Sequence, residues 1–211
     1  MWDRVAAERA ETLAVVEGFS EEQWQTPSLC TGWTVKDVVG HIIWVASTRP
    51  PEVVNQMLLG GLRIDRVMAD AARVIGSLPT EVVIGQLRGA ITDQQIMPTM
   101  KPISLLADTL VHNQDICRPV GIRREIDPDR LTLALDQYTA TKRFVGGRSR
   151  VKGLRLVATD LGFTRGDGPE VTGPAEALLL AATGRSAALD DLDDLDGEGV
   201  AILRSRMPAT A

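Results

Sequence analysis

Disulfides have little to build on in this sequence. Its two cysteines, Cys30 and Cys117, stand far apart, and two thiols make no disulfide framework. Neither a zinc-finger spacing nor a C-x-x-C pair is present, so both read as reduced thiols in a cytosol. No apolar run reaches the eighteen or so residues of a membrane-spanning helix. The opening MWDRVAAERAETLAVV sets charges ahead of any apolar run and is no signal peptide. A basic excess is missing as well: the formal net charge is -5 and the pI about 5.1, against the basic face of a nucleic-acid binder. G-x-S-x-G and the Walker loop are absent too. These absences lead us to expect a soluble, cytoplasmic protein whose partners are neither nucleic acid nor membrane; its oligomeric state, monomer or homodimer, stays open.

What is present is a globular composition, 44% hydrophobic and 24% charged over 211 residues, enough for one large core or two small ones. The first two-thirds read as helical. Val5, Leu13 and Val16 with Ala6, Ala10 and Ala14 make an amphipathic first helix. Ser20 opens a short turn around Trp24, and Thr34 with Asp37 caps the helix VKDVVGHIIWVAS. Further helices are expected around 53–59 and 64–75, after Pro79, from Pro102 to the stop at Pro119, and from Pro128 through Phe144.

Beyond a glycine-rich joint at Gly146 and Gly147 the pattern alternates. LRLVATDLGF reads as a strand, GDGPEVTG as a turn and second strand, Ala175–Thr183 as a helix ended by Gly184, and GVAILRS as a last strand. The acidic run DDLDDLDGEG reads as a solvated turn, since it lacks the ligand spacing of a calcium loop. The fold class is therefore α+β, with a helical bundle over 1–147 and a small α+β domain over 148–211.

The sequence holds only two histidines, His41 and His112. Asp108 and His112 are four residues apart on one expected helix, so their side chains share a face. His41 sits among Val38, Val39, Ile42 and Ile43, on a helix apolar enough to be buried. Facing helices of a bundle are where metal sites are built, and two imidazoles with one carboxylate suit Zn²⁺, and also Ni²⁺, Fe²⁺ or Mn²⁺. Three protein ligands leave a position open for water or substrate. Against this stands the ordinary alternative, a hydrogen-bonded core histidine and a D-x-x-x-H pair met by chance.

Asp115 extends the stripe by three residues, either orienting an imidazole or pairing near Arg118. Cys30, in SLCTGW before the His41 helix, is a reactive thiol or a structural loop residue. Trp33 and Trp44 line a cavity or simply fill the core. Arg185 binds an anion or caps the helix that Gly184 ends.

Three stretches carry a resemblance. SLCTGWTVKDVVGHIIW (Ser28 to Trp44), LLADTLVHNQDICRPVGI (Leu105 to Ile122), and GLRLVATDLGF followed by GDGPEVTGPAEALLLAATGR are similar to the DinB-like, mycothiol-dependent maleylpyruvate isomerase family, in order and over nearly the whole chain. The resemblance implies a four-helix bundle with a divalent metal, usually zinc, on His41, Asp108 and His112. Many members carry Glu where this chain has Asp108, one methylene shorter. The family implies mycothiol, the low-molecular-weight thiol of actinobacteria, as cosubstrate. On this basis the chain is expected to be an S-transferase or isomerase acting on an electrophilic small molecule. The metal would ionise the thiol, with Asp115 and Arg185 assisting, Trp33 and Trp44 at the cofactor, and the C-terminal domain closing over the site. A non-catalytic metal- or ligand-binding protein and a metal-assisted hydrolase on the same bundle are the alternatives.

Overall fold

The computed structural model describes residues 1–59, 61–97, 100–140, 147–185 and 194–207. It falls into two compact units, Met1–Arg124 and Glu125–Ala211. The division thus comes after Arg124, not at the glycines near 147. The reason is α8, Pro128–Ala140, which packs on the short α9, Gly147–Arg150, and on α10, Ala175–Thr183. Gly147 approaches α8 so closely that a Cβ there would lie 2.5 Å from the Tyr138 carbonyl oxygen. Gly146 and the expected end of α8 at 141–144 lie outside the described residues.

The first unit contains α1 (Trp2–Val16), α2 (Glu21–Gln25), α3 (Val35–Ser47), α4 (Pro50–Leu59), α5 (Ile64–Gly76), α6 (Thr80–Ala90) and α7 (Pro102–Cys117), with a 3₁₀ turn at Arg118–Val120. Packing contacts run from α1 to α7, from α7 to α3, from α3 to α6 and from α6 back to α1, which closes a four-helix bundle. Val16, Trp24, Val35, Val38, Val39, Val83 and Leu87 fill its core. Reciprocal capping boxes start α2 at Ser20 and α3 at Thr34. In the second, Asp37 N–H donates to the Thr34 hydroxyl at 3.2 Å and Asp37 accepts from Thr34 N–H at 2.9 Å.

Helix α5 packs along α3 because glycines let the backbones meet. A Cβ on Gly40 would lie 2.4 Å from the Ala72 carbonyl oxygen and 3.2 Å from Ile75 Cβ. Alanine is the better helix former by about 1 kcal/mol. Overpacking costs about 1–3 kcal/mol, and a backbone oxygen cannot swing aside as a side chain does. Gly40→Ala should therefore be net destabilising, with a melting temperature lower by roughly 2–4 °C per kcal/mol lost. A thermal scan giving an unchanged or higher midpoint would show that α5 yields freely.

In the second unit, β1 (Arg155–Ala158) lies between β2 (Thr164–Arg165), antiparallel, and β3 (Glu170–Gly173), parallel. Exposed and buried residues alternate along β1 and β3, and α10 covers their inner face. Gly184, at φ 83°, ends α10 in the left-handed conformation. The expected last strand is instead a helix, α11, Val200–Ser205. A short apolar run does not distinguish the two by period. Here Asp196 takes the β3 edge through a bridge to Thr172, and the chain turns at Gly197 and Gly199 into the helix. Residues 190–193 of the acidic run lie outside the described residues. Among the described residues, no helix is long and apolar enough to cross a membrane.

Candidate metal centre

Two helices of the bundle bring the candidate ligands together. His41 projects from the buried α3, and Asp108, His112 and Asp115 line one face of α7 at i, i+4 and i+7. His41 Nε2 lies 3.4 Å from Asp108 Oδ2, and His112 Nε2 lies 3.5 Å from Asp108 Oδ1. The two imidazoles cross at 68° with centroids 4.7 Å apart. Donor atoms of His41, Asp108 and His112 all fall within 4.8 Å of one another. Both histidines are buried, whereas the Asp108 side chain is 30% exposed, so the cluster opens to solvent on the aspartate side.

Those two N···O separations are longer than the usual N–H···O range of about 2.7–3.2 Å. They are close to the roughly 3.3 Å edge expected between a nitrogen and an oxygen bound tetrahedrally to one zinc-sized ion. The shorter Asp108 side chain thus still spans both imidazoles.

Asp115 is fully buried, and its carboxylate lies 2.9 Å from His112 Nδ1. The Cys30 thiol donates to the same oxygen at 3.1 Å. Trp33 packs against both rings, 5.4 Å from His41 and 6.5 Å from His112, nearly parallel to the latter. Trp44 belongs to a separate cluster with Val53 and Val67, and its indole N–H donates to Gln56 at 3.2 Å. Arg185 is in the second unit, where it donates to the Thr183 carbonyl at the end of α10. Those contacts favour core packing for Trp44 and helix capping for Arg185.

Electrostatics sets the three candidate ligands apart. Burial lowers the His41 pKa, outweighing the attraction of Asp108, so this imidazole is neutral. Burial also opposes charge on His112, but Asp108, Cys30 and Asp115 prevail and raise its pKa well above the usual value. Burial likewise works against ionisation of Asp108, yet the two imidazoles hold its carboxyl well below the ordinary range. His41 Nδ1 is buried without a hydrogen-bond partner.

Fold and cluster define a class: a four-helix bundle with an inward His–Asp–His set, followed in sequence by a small α+β unit. Residues 5–53 match the model of the mycothiol maleylpyruvate isomerase N-terminal domain. A crystal structure of the mycothiol-dependent maleylpyruvate isomerase has the same fold, with a TM-score of 0.63 at 13% identity over 93% of this chain and 91% of that one. A histidine-to-alanine mutant of that isomerase matches with a TM-score of 0.62 at 12% identity and the same coverage. No curated protein sequence matches the chain.

Proposed function

We propose that this protein is a metal- and mycothiol-dependent enzyme, an S-transferase or isomerase acting on an electrophilic small molecule. The observation that carries the reading is the spacing of Asp108 between two Nε2 atoms, too wide for good hydrogen bonds and suited to ligands of one ion. His41, Asp108 and His112 would hold the metal, zinc being the best match to the donor set. Bound there, a divalent ion supplies the Lewis acidity that ionises a coordinated thiol near neutral pH.

The chain's own residues prepare that position. Asp115 accepts the Nδ1 proton of His112 in a hydrogen bond, which turns Nε2 toward Asp108, where a metal would displace its proton. Burial keeps His41 neutral and able to donate its own lone pair. Trp33 covers the imidazoles and keeps water off their faces. The exposed side of Asp108 leaves an approach for the thiol and its electrophile. The N-terminal family match and the shared fold support mycothiol as that thiol.

Metal analysis of the purified protein should find bound zinc. Electrophile consumption, tested over a panel that includes maleylpyruvate, should require added mycothiol. Turnover without the thiol would favour a hydrolase, and no turnover across the panel would favour a binding protein. Either result overturns the proposal.

A further inference from the structure

Behind His112, on the side away from Asp108, three donors of different chemistry converge. Cys30 Sγ lies 3.1 Å from Asp115 Oδ2 and 3.7 Å from His112 Nδ1, and Nδ1 lies 2.9 Å from the same oxygen. The three sit together by construction. Leu29 N–H bonds the Asp115 carbonyl at 3.4 Å, which ties the loop to α7. Ser28 Oγ accepts from Cys30 N–H at 3.1 Å and donates to the Trp33 carbonyl at 2.9 Å, which fixes the turn that presents the thiol. Asp115 and His112 are buried and Cys30 is half-buried, so the thiol side is the way in.

Hydrogen bonds account for the two short edges of this triangle. At the third edge sulfur and Nδ1 approach to 3.7 Å, the longest and weakest of the three contacts. A proton bridges one edge, whereas an ion at the centre touches all three corners. Tetrahedral zinc with one sulfur, one nitrogen and one oxygen needs edges of roughly 3.3–3.6 Å. The observed triangle reaches that with shifts of a few tenths of an ångström.

We propose that Cys30, His112 and Asp115 form a second cation seat, selective for a thiophilic divalent ion such as Zn²⁺, with the His112 ring bridging it to the first. Binding displaces the Cys30 thiol proton and the Nδ1 proton to solvent, and no redox change is involved. Charge then balances: Asp108, Asp115, the Cys30 thiolate and the bridging imidazolate bring four negative charges to two divalent ions. The thiolate makes this seat the softer of the two and separates it from hard cations such as Mg²⁺ or Ca²⁺. Its ion pins the loop that carries Trp33 to α7.

Cobalt(II) reads the two seats separately, because only thiolate ligation gives a near-ultraviolet charge-transfer band. The metal-free full-length protein should take up two equivalents of Co²⁺ and develop that band. His41→Ala should lose one equivalent and keep the band. Cys30→Ser should lose one equivalent and the band together. One equivalent with the band in the unsubstituted protein would support this seat and count against the His41 site. Saturation of the folded, unsubstituted protein without the band overturns this proposal at any stoichiometry. So does a band that survives Cys30→Ser, which would then arise from Cys117.

Discussion

His112→Ala should weaken the binding of zinc by at least about 10²–10³-fold. Structural zinc sites bind with roughly 10–16 kcal/mol shared among four ligands, so one ligand carries about 3–4 kcal/mol. His112 also offers a nitrogen to each of the two clusters, so its loss should leave no tightly held ion. Asp115→Asn should cost less, about 10–100-fold, as expected for a partner that orients a ligand without touching the ion at Nε2. Competition against a chromophoric chelator measures both. A His112→Ala affinity within tenfold of the parent would remove this residue from the centre.

The same site fixes a pH dependence. In the metal-free protein Asp108, Cys30 and Asp115 raise the His112 pKa against the opposing effect of burial, so the imidazolium is a stabilising partner. That contribution is complete below the unfolded histidine value of about 6.5 and is lost as pH climbs through the raised folded value. Metal must displace this proton, so affinity should rise with pH across the same window. Metal-free stability should therefore fall where metal affinity climbs. Denaturant melts and chelator competition over pH 6–9 would show the two trends, and parallel trends would contradict the assignment.

Much of this centre was legible before any coordinates. Capping signals at Thr34 and Pro102 gave α3 and α7 their registers, and a four-residue spacing placed Asp108 and His112 on one face. The link from Cys30 to Asp115 was not legible, because it depends on a loop whose path is set by Leu29 and Ser28 bonding to distant backbone. The division after Arg124 was missed for a similar reason: α8 is as helical as the bundle, and only tertiary contacts assign it to the second unit. One signal was present and unread. Glu8, Arg9 and Thr12 occupy the same helical stripe as Val5, Leu13 and Val16, and all six are buried. Charges on a core-facing stripe indicate a buried polar network.

That network yields the other large effect. Arg124→Leu should destabilise the first unit by about 3–5 kcal/mol, the usual cost of stranding one member of a buried ion pair. Glu8 is fully buried and accepts from Arg124 Nη1 at 2.8 Å and from Asn113 Nδ2 at 2.7 Å. Asn113 Oδ1 in turn accepts from the Thr12 hydroxyl at 2.7 Å, and Arg124 also pairs with Glu11. Burial opposes the charge on Arg124, but Glu8 and Glu11 outweigh it and raise its pKa, so the guanidinium stays charged. Leucine in its place strips the buried Glu8 carboxylate of the guanidinium that balances its charge. Adding Glu8→Gln should recover most of the loss, since the amide oxygen still accepts from Asn113 and no charge is stranded. Urea unfolding of the metal-free single and double variants tests this. A single-variant loss under about 1 kcal/mol, the scale of an exposed pair, would mean that water reaches Glu8. Asn113 adjoins His112 on α7, so the network also holds the ligand helix against α1. The single variant should bind zinc more weakly than the double variant, although neither touches the metal ligands.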